Sequence, residues 1–537
     1  MIKTPIYLSI IIAIIFVSCS KFTSDSSDSL SSTSILEKTN TPSVIVIADT
    51  IVPADAANAK KFGVVGDGVT DDTEKLQNLI NTQTTILLPA GTYIINKALN
   101  LRSNVKIYGT TGATIMAGNN MSGILLSHAH YLNLEKADNC LVYNIIFKQG
   151  VQPFALKEWS NACIFASNSK GTNIISNTFN FNLKYGKLGL EAVWFTGSET
   201  QNTVIKGNKL YTVGIEYAEA GASRTLVQNN YVKNAHGIGI NGHGNNASVC
   251  LDNVIADNIV EYPGNMGIED WGNTSGTIIK NNTIMHTGQD PSHREDAMGI
   301  SAVGARPQIL NNKITDAWMY YIEIGGNSNK TVDGNIINDT RGLATGIIIN
   351  YTDTSSINKT NTNNTVTIKN NQIFNCELGI HYYGSNNINT QLQSNTFKNP
   401  KVSAVKFDSD AAIIDATVSN NIISITEPAT KVRPIFMAYT RKAPTAVKHN
   451  IVFTGNNIAF EATAKGSTAE EYGFYLATNN TSIKNNIIQS AVTSLYAVGN
   501  SSNGKLNLYF TNNKFSGVKN DLSRFNLLDN SGNIITK

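Results

Sequence analysis

The chain has 537 residues, 42 Lys and Arg against 39 Asp and Glu, a formal net charge of +3 and only 15% charged residues. Its basic residues are dispersed instead of clustered, which excludes the electrostatic footprint of a nucleic-acid-binding protein. A chain this long usually divides into several domains, whereas a solenoid growing in one dimension needs no such division.

In chain order, residues Met1–Ser18 read as an export signal: Lys3 is the positive start, and the apolar run Ile6–Val17 is too short for a comfortable membrane span. The run ends in F-V-S-C at Phe16–Cys19, which resembles the lipobox of bacterial lipoproteins, with Phe16 where Leu is usual. That resemblance implies lipidation of Cys19 and an outer membrane lipoprotein facing the periplasm or the exterior, in contact with the membrane only through its acyl chains. Asp25 and Asp28 resemble a surface-export signal of Bacteroidota-type lipoproteins. Residues 19–58, rich in Ser, Thr and Asp and without a period, read as a flexible tether. The folded domain is expected over 59–525, with 526–537 as a C-terminal end.

The segment K-K-F-G-V-V-G-D-G-V-T-D-D-T at Lys60–Thr73 leads into a helix-like stretch. I-L-L-P-A-G-T-Y-I-I follows at Ile86–Ile95, then N-V-K-I-Y-G at Asn104–Gly109. Together these resemble the opening of the pectate-lyase/rhamnogalacturonase/epimerase-like superfamily. The resemblance implies an all-β, right-handed single-stranded parallel β-helix with an N-terminal capping helix, and carbohydrate as the partner. The superfamily contains lyases, hydrolases and epimerases, so it does not choose the reaction. Asp71 is expected to N-cap the helix, with Glu74 as its capping-box partner, and capping accounts for Asp71 and Asp72 without a catalytic role. Leu76, Leu79 and Ile80 form an apolar stripe suited to cover the first open coil.

From Ile174 a short phrase recurs: an aliphatic pair, a polar residue or two, Asn, one more residue, and another apolar residue. It reads I-I-S-N-T-F at Ile174–Phe179, L-V-Q-N-N-Y-V at Leu226–Val232 and I-I-K-N-N-T-I at Ile278–Ile284. Fainter copies place Asn at Asn144, Asn335, Asn371, Asn395, Asn421, Asn457, Asn486 and Asn513. The anchors lie roughly 22 to 36 residues apart, the length of one solenoid coil. The alternation within each copy has the period of a strand. Asn at that point suits a left-handed or bridge backbone, and stacked Asn side chains can hydrogen-bond along the stack. Cys140, Cys163, Cys250 and Cys376 differ in their offsets from the anchors, which favours buried free thiols over disulfides.

Aligning coils on the anchors brings a second strand into line: G-L-E, G-I-E, G-I-G, G-I-E, G-I-S and Y-I-E. With Ile or Leu pointing inward, an outer column runs Glu191, Glu216, Gly239, Glu269, Ser301, Glu323. Strands about 4.8 Å apart make Glu191 and Glu216 neighbours and separate Glu216, Glu269 and Glu323 by roughly 9.6 Å each. Glycosidases work with two carboxyls at such spacings. Stacked carboxylates also raise one another's pKa, which prepares an acid. Strict alternation buries Asp270, so either the strand ends there or the carboxylate is held by hydrogen bonds. Trp194 and Trp271 flank the column as platforms for sugar rings. N-G-H-G at Asn241–Gly244 puts His243 on a glycine-flanked turn, and the insertion His286–Ala297 offers His293, Arg294, Glu295 and Asp296 to a ligand.

These residues point first to a glycoside hydrolase. Glu269 and Asp270 form the core of the site and Glu216 or Glu323 the acid or base partner. Trp194, Trp271, His243, Arg294 and Glu191 bind substrate, and no cofactor is required. The alternative is a polysaccharide lyase or epimerase on uronates, with Ca²⁺ possible at the acidic residues. A third reading is a non-catalytic glycan-binding solenoid. Thr352–Lys537 reads as scaffold, with loops near Glu427–Lys448 and Glu461–Tyr472.

Overall fold

The computed structural model describes residues 50–536 outside 120–129, 151–160, 187–188, 246–247, 326–327, 351–364, 384–388, 410–412, 430, 441–447, 462–468, 492–494, 501 and 503. The export signal, Cys19 and most of the tether therefore lie outside the described residues.

One coil shows how the sequence phrase becomes structure. Its strands are Val204–Lys206, Lys209–Tyr211 and Ile215–Glu219, and each sends an aliphatic side chain inward: Ile205, Leu210 and Ile215 are fully buried. The chain turns at Gly207 (φ 66°) and at Thr212 (φ 65°). Every strand pairs in parallel with its counterparts one coil before and after, so the stack forms three long parallel sheets, of 18, 18 and 15 strands among the described residues. The inward side chains make one continuous core from Ala59 to Phe525. Since a single coil cannot bury its own apolar face, that core exists only through stacking.

The anchor Asn residues stack as a buried ladder between the first and second sheets. In Asn208, both the backbone N–H and the side-chain Nδ2 donate to Oδ1 of Asn230 (3.0 and 2.9 Å), and Nδ2 also donates to the Ile174 carbonyl. The same pattern links Asn230 to Asn258, Asn258 to Asn282 and Asn282 to Asn312. The left-handed residue is the one before the anchor: Asn229, Asp257, Asn281 and Asn311 have φ of 55 to 58°. Two anchors need correction. Asn456, not Asn457, occupies the ladder, and Asn144 is a left-handed turn residue preceding the ladder position, where Ile145 donates its N–H to Asn177.

The capping helix spans Thr73–Thr82, and Leu76, Leu79 and Ile80 are buried in the common core. Its capping differs from expectation. Asp72 is the residue at the N-cap, and its carboxylate instead accepts the N–H groups of Val65 (2.7 Å) and Gly66 (2.9 Å) from the preceding turn. Asp71 accepts the Thr73 N–H at 3.0 Å, and Glu74 lies 4.0 Å from exposed Lys97 instead of reaching back.

Cys140, Cys163, Cys250 and Cys376 are free and buried, and burial pushes the Cys140 and Cys250 thiols up to about 12. The stretches expected as loops near the C-terminus contain the strand Arg433–Thr440 and the start of Glu471–Leu476, tied by a buried ion pair between Arg433 and Glu471. Paired strands continue to Ile534–Thr536, so residues 526–536 are coil rungs as well.

Candidate active site

The third sheet carries the candidate site on its outer face. Strand pairing sets one outward column as Trp194, Glu216, Asn241, Glu269, Ser301 and Glu323. A second column, further along the strands, runs Thr196, Glu219, His243 and Trp271. Two members of the sequence-derived column change. Glu191 pairs with Ala162 and stands three positions before Trp194, so Trp194 is the neighbour of Glu216 in the column. Gly239 precedes its strand, and Asn241 stands in the column at that coil.

The cause of the second column is a bulge. Glu216 pairs with Asn241 and Glu219 with His243, so three steps on one strand match two on the next. The residue after Glu216, Tyr217, turns inward, and its hydroxyl donates to Asp270 Oδ1 at 2.8 Å one coil beyond the adjacent strand. The ring passes over Gly242, where a Cβ would lie 2.2 Å from Tyr217 Cζ, so only glycine fits there. Without the extra residue, alternation would bury Glu219 and expose Ala218.

Asp270 is therefore an interior residue, which corrects its placement at the core of the site. It is fully buried and also accepts Thr274 Oγ1–H and Thr277 Oγ1–H, each at 3.0 Å. Burial raises its pKa, while these three hydroxyls and the positive charge of Lys330 oppose the rise. Arg294 needs correction too: its guanidinium stacks on Trp318 at 4.0 Å, its Nε donates to the Gly288 carbonyl, and it does not line the cavity. The loop contributes Asp290 and His293 in its place, joined by a 2.7 Å contact.

A cavity of about 340 Å³ opens beside the columns. Glu191, Trp194, Glu216, Glu219, Asn241 and His243 form its floor, and His236, Asn265, Asp290 and His293 line it from the adjoining turns and the loop. Trp194 Nε1 donates to Glu219 Oε2 at 2.9 Å. Glu216 accepts the His243 N–H (3.1 Å) and the Asn241 amide. His236 Nδ1 sits 3.2 Å from the Thr212 carbonyl, which can only accept, so Nε2 faces Glu191 Oε1 at 3.9 Å. Burial drives the Glu216 pKa well up, with Glu219, Glu191 and Glu269 adding repulsion; burial also raises Glu191, against the opposing effect of His236. Burial lowers the pKa of His243.

Glu269 lies one strand beyond Asn241 and is partly exposed. Its side chain makes no hydrogen bond among the described residues, and burial, followed by the charges of Glu323, Asp270 and Asp296, pushes its pKa up to about 8. Glu323, two strands on, is held in place: Ser301 Oγ and Asn350 Nδ2 donate to its two oxygens at 2.7 Å each. Trp271 is 39% exposed and meets His243 edge-on, with centroids 4.7 Å apart. The sequence reading missed His236, Asn241, Asn265 and Asp290. The only signal for His236 was its place just before the glycine-flanked strand. Among the described residues, no group of three or more His, Cys, Asp or Glu is placed to hold a metal ion.

Residues 56–290 match the model of the family described as rhamnogalacturonase A/epimerase, pectate lyase-like, and residues 254–423 match that of the right-handed β-helix region. The fold is thus a right-handed parallel β-helix. Similar solved structures include the Streptococcus pneumoniae surface protein and adhesin PfbA, at 14% identity over 83% of this chain and 99% of that chain, with a TM-score of 0.44. The catalytic domain of a GH87 α-1,3-glucanase in complex with tetrasaccharides is 15% identical over 81% of this chain and 70% of that chain, with a TM-score of 0.43. The A-module of Azotobacter vinelandii mannuronan C-5 epimerase AlgE4 is 14% identical over 83% of this chain and 100% of that chain, with a TM-score of 0.33. These are likenesses of fold and carry no activity to this chain. No curated protein matches it.

Proposed function

We propose that the chain is a glycoside hydrolase that cleaves a polysaccharide along the outer face of the third sheet, with Glu269 as the general acid. The observation that carries this is the contrast within one column. Glu216 and Glu323 are buried and hydrogen-bonded, whereas the Glu269 carboxyl between them is partly exposed, has no hydrogen bond among the described residues and has its pKa pushed up to about 8. A proton donor facing a groove beside a fixed carboxylate is the arrangement glycosidic cleavage requires. Glu323 is the base: the Ser301 hydroxyl and the Asn350 amide hold its oxygens as acceptors. Two strand spacings separate Glu269 from Glu323, about 9.6 Å at the backbone, which is close to the separation of inverting enzymes and leaves room for the attacking water. Trp271 and Trp194 supply flat faces for sugar rings, and Glu191, Glu216 and His243 bind substrate hydroxyls in the cavity.

The second reading is a lyase or epimerase on uronates. It draws on the acceptor-rich cavity wall, where Ca²⁺ bound to a uronate carboxylate would find oxygen partners. It ranks lower because a wall carrying Glu191, Glu216, Glu219 and Asp290 repels an anionic polymer unless a metal intervenes. Incubation with neutral and uronic acid polysaccharides in the presence of Ca²⁺ separates the two. New reducing ends without ultraviolet absorbance mark the hydrolase, and absorbance of unsaturated uronates marks the lyase. Reducing ends must disappear in Glu269→Gln; their persistence rules out the assigned acid. We further propose that Cys19 is lipidated and anchors the protein in the envelope. Fatty-acid labelling that is lost in Cys19→Ala supports this, and labelling that survives the change refutes it.

A further inference from the structure

The cavity beside Glu191 has a wall of one chemical kind. Among the described residues, its charged members are acids and histidines, with no Lys or Arg. Among the described residues, the buried oxygens Asn241 Oδ1 and Asn265 Oδ1 on this wall have no hydrogen-bond partner, and Glu191 Oε2 makes none closer than the weak approach of the Gly214 N–H to its carboxylate. As placed, Asn241 Nδ2 donates to Glu216 Oε2, which leaves Oδ1 as its free acceptor. An unpaired buried acceptor is costly, so these atoms specify a ligand group that donates. A sugar hydroxyl donates and also accepts, and it carries no charge. An ammonium only donates, offers three N–H groups and brings the positive charge that the acidic wall lacks. Trp194, fixed in the same wall by its bond to Glu219, adds an aromatic face that attracts a cation.

From this we infer that the cavity is a subsite for a hexosamine unit with a free amino group. The ammonium lies among Glu191, Asn241 and Asn265, and the ring lies toward Trp194. The inference rests on the reading of this face as a glycan site and narrows it to a cationic amino sugar at that position. N-acetylation would remove the charge and replace two of the donors with an acetyl group, and a neutral hexose would leave the acidic wall uncompensated.

The test is calorimetric titration of the full chain in its Glu269→Gln form, which prevents cleavage during the measurement. The probes are a glucosamine tetramer, its fully N-acetylated form and cellotetraose. The glucosamine tetramer is expected to bind more tightly than either by on the order of tenfold or more. Adding Glu191→Gln should erase most of that preference. Asn265→Leu serves the same purpose if the Glu191 variant fails to fold. Equal affinities, no binding of the glucosamine tetramer, or a preference that survives both substitutions overturns the inference. The two readings also fail separately. Glu269-dependent cleavage of a neutral polymer with no amine preference removes only the subsite. An amine preference in a protein that cleaves no polymer removes only the hydrolase.

Discussion

Glu269 shows how one carboxyl becomes an acid on a surface otherwise rich in Asn, Thr and Ser. Burial and the charges of Glu323, Asp270 and Asp296 hold its proton until about pH 8. In the proposed role of general acid it must be protonated, so hydrolysis is expected to fall as pH rises through about 8, which a pH–rate profile would read. Glu269→Gln should lower the rate by about 10²-fold or more while leaving substrate binding in place. Stability follows the same proton. Between the ordinary carboxyl range and pH 8 the folded protein holds a proton that the unfolded chain has lost, so stability falls as pH rises through that window. In Glu269→Gln the melting temperature should decline less from pH 5 to pH 8. Asp270 behaves differently, because Tyr217, Thr274 and Thr277 all donate to it inside the coil. Asp270→Ala should cost about 1–3 kcal/mol of stability or more in denaturant titration, because the buried Tyr217, Thr274 and Thr277 hydroxyls lose their acceptor. The sequence showed that Asp270 conflicted with alternation but not how the conflict resolves, since its partners lie up to 53 residues away on another coil. Arg294 was misread for a related reason: its stacking on Trp318 depends on how the loop folds back.

The repeating phrase exposed the coils because each copy places an apolar residue inside and an Asn in the ladder. That ladder should be uniform in its interior. Asn258→Ala removes side-chain bonds to Asn282 and to the Val227 carbonyl and leaves the Asn230 donors unmet, which should cost about 1–3 kcal/mol in thermal or denaturant unfolding. Register on the outer face was only partly legible. Glu216, Glu269, Ser301 and Glu323 fell in one column as the alternation implied. The bulge at Tyr217 was invisible, because an extra residue in one strand leaves no periodic mark in a five-residue segment. It nevertheless decides that Glu219 reaches the groove. Gly242→Ala would place a methyl group in the Tyr217 ring, so it should shift the bulge, lower stability and weaken substrate binding together. A stable variant with unchanged binding would show that Glu219 owes its place to something else.

At the scale of the whole molecule, three sheets run the length of a single core, and the site occupies one stretch of one face. Coils C-terminal to Glu323 continue the same ladder to Asn533 and the core to Phe525, and in the column Ile348, His381, Lys406 and Met437 take the place of Glu323 in turn. Their role in this account is to stack on and support the catalytic coils. The four thiols buried in the stack should resist thiol reagents in the folded protein and react only on unfolding, and reductant should leave the melting temperature unchanged. The fold was legible because a repeat writes its period into the sequence many times. The chemistry was less so, because it is written once, across coils far apart in the chain. The central claim is that this face hydrolyses a polysaccharide through Glu269. Its most direct test is the assay of wild type and Glu269→Gln on a polysaccharide panel, reading reducing ends and ultraviolet absorbance together. The account predicts reducing ends without absorbance in the wild type and neither signal in Glu269→Gln. Absorbance in the wild type, or reducing ends undiminished in the variant, would contradict it.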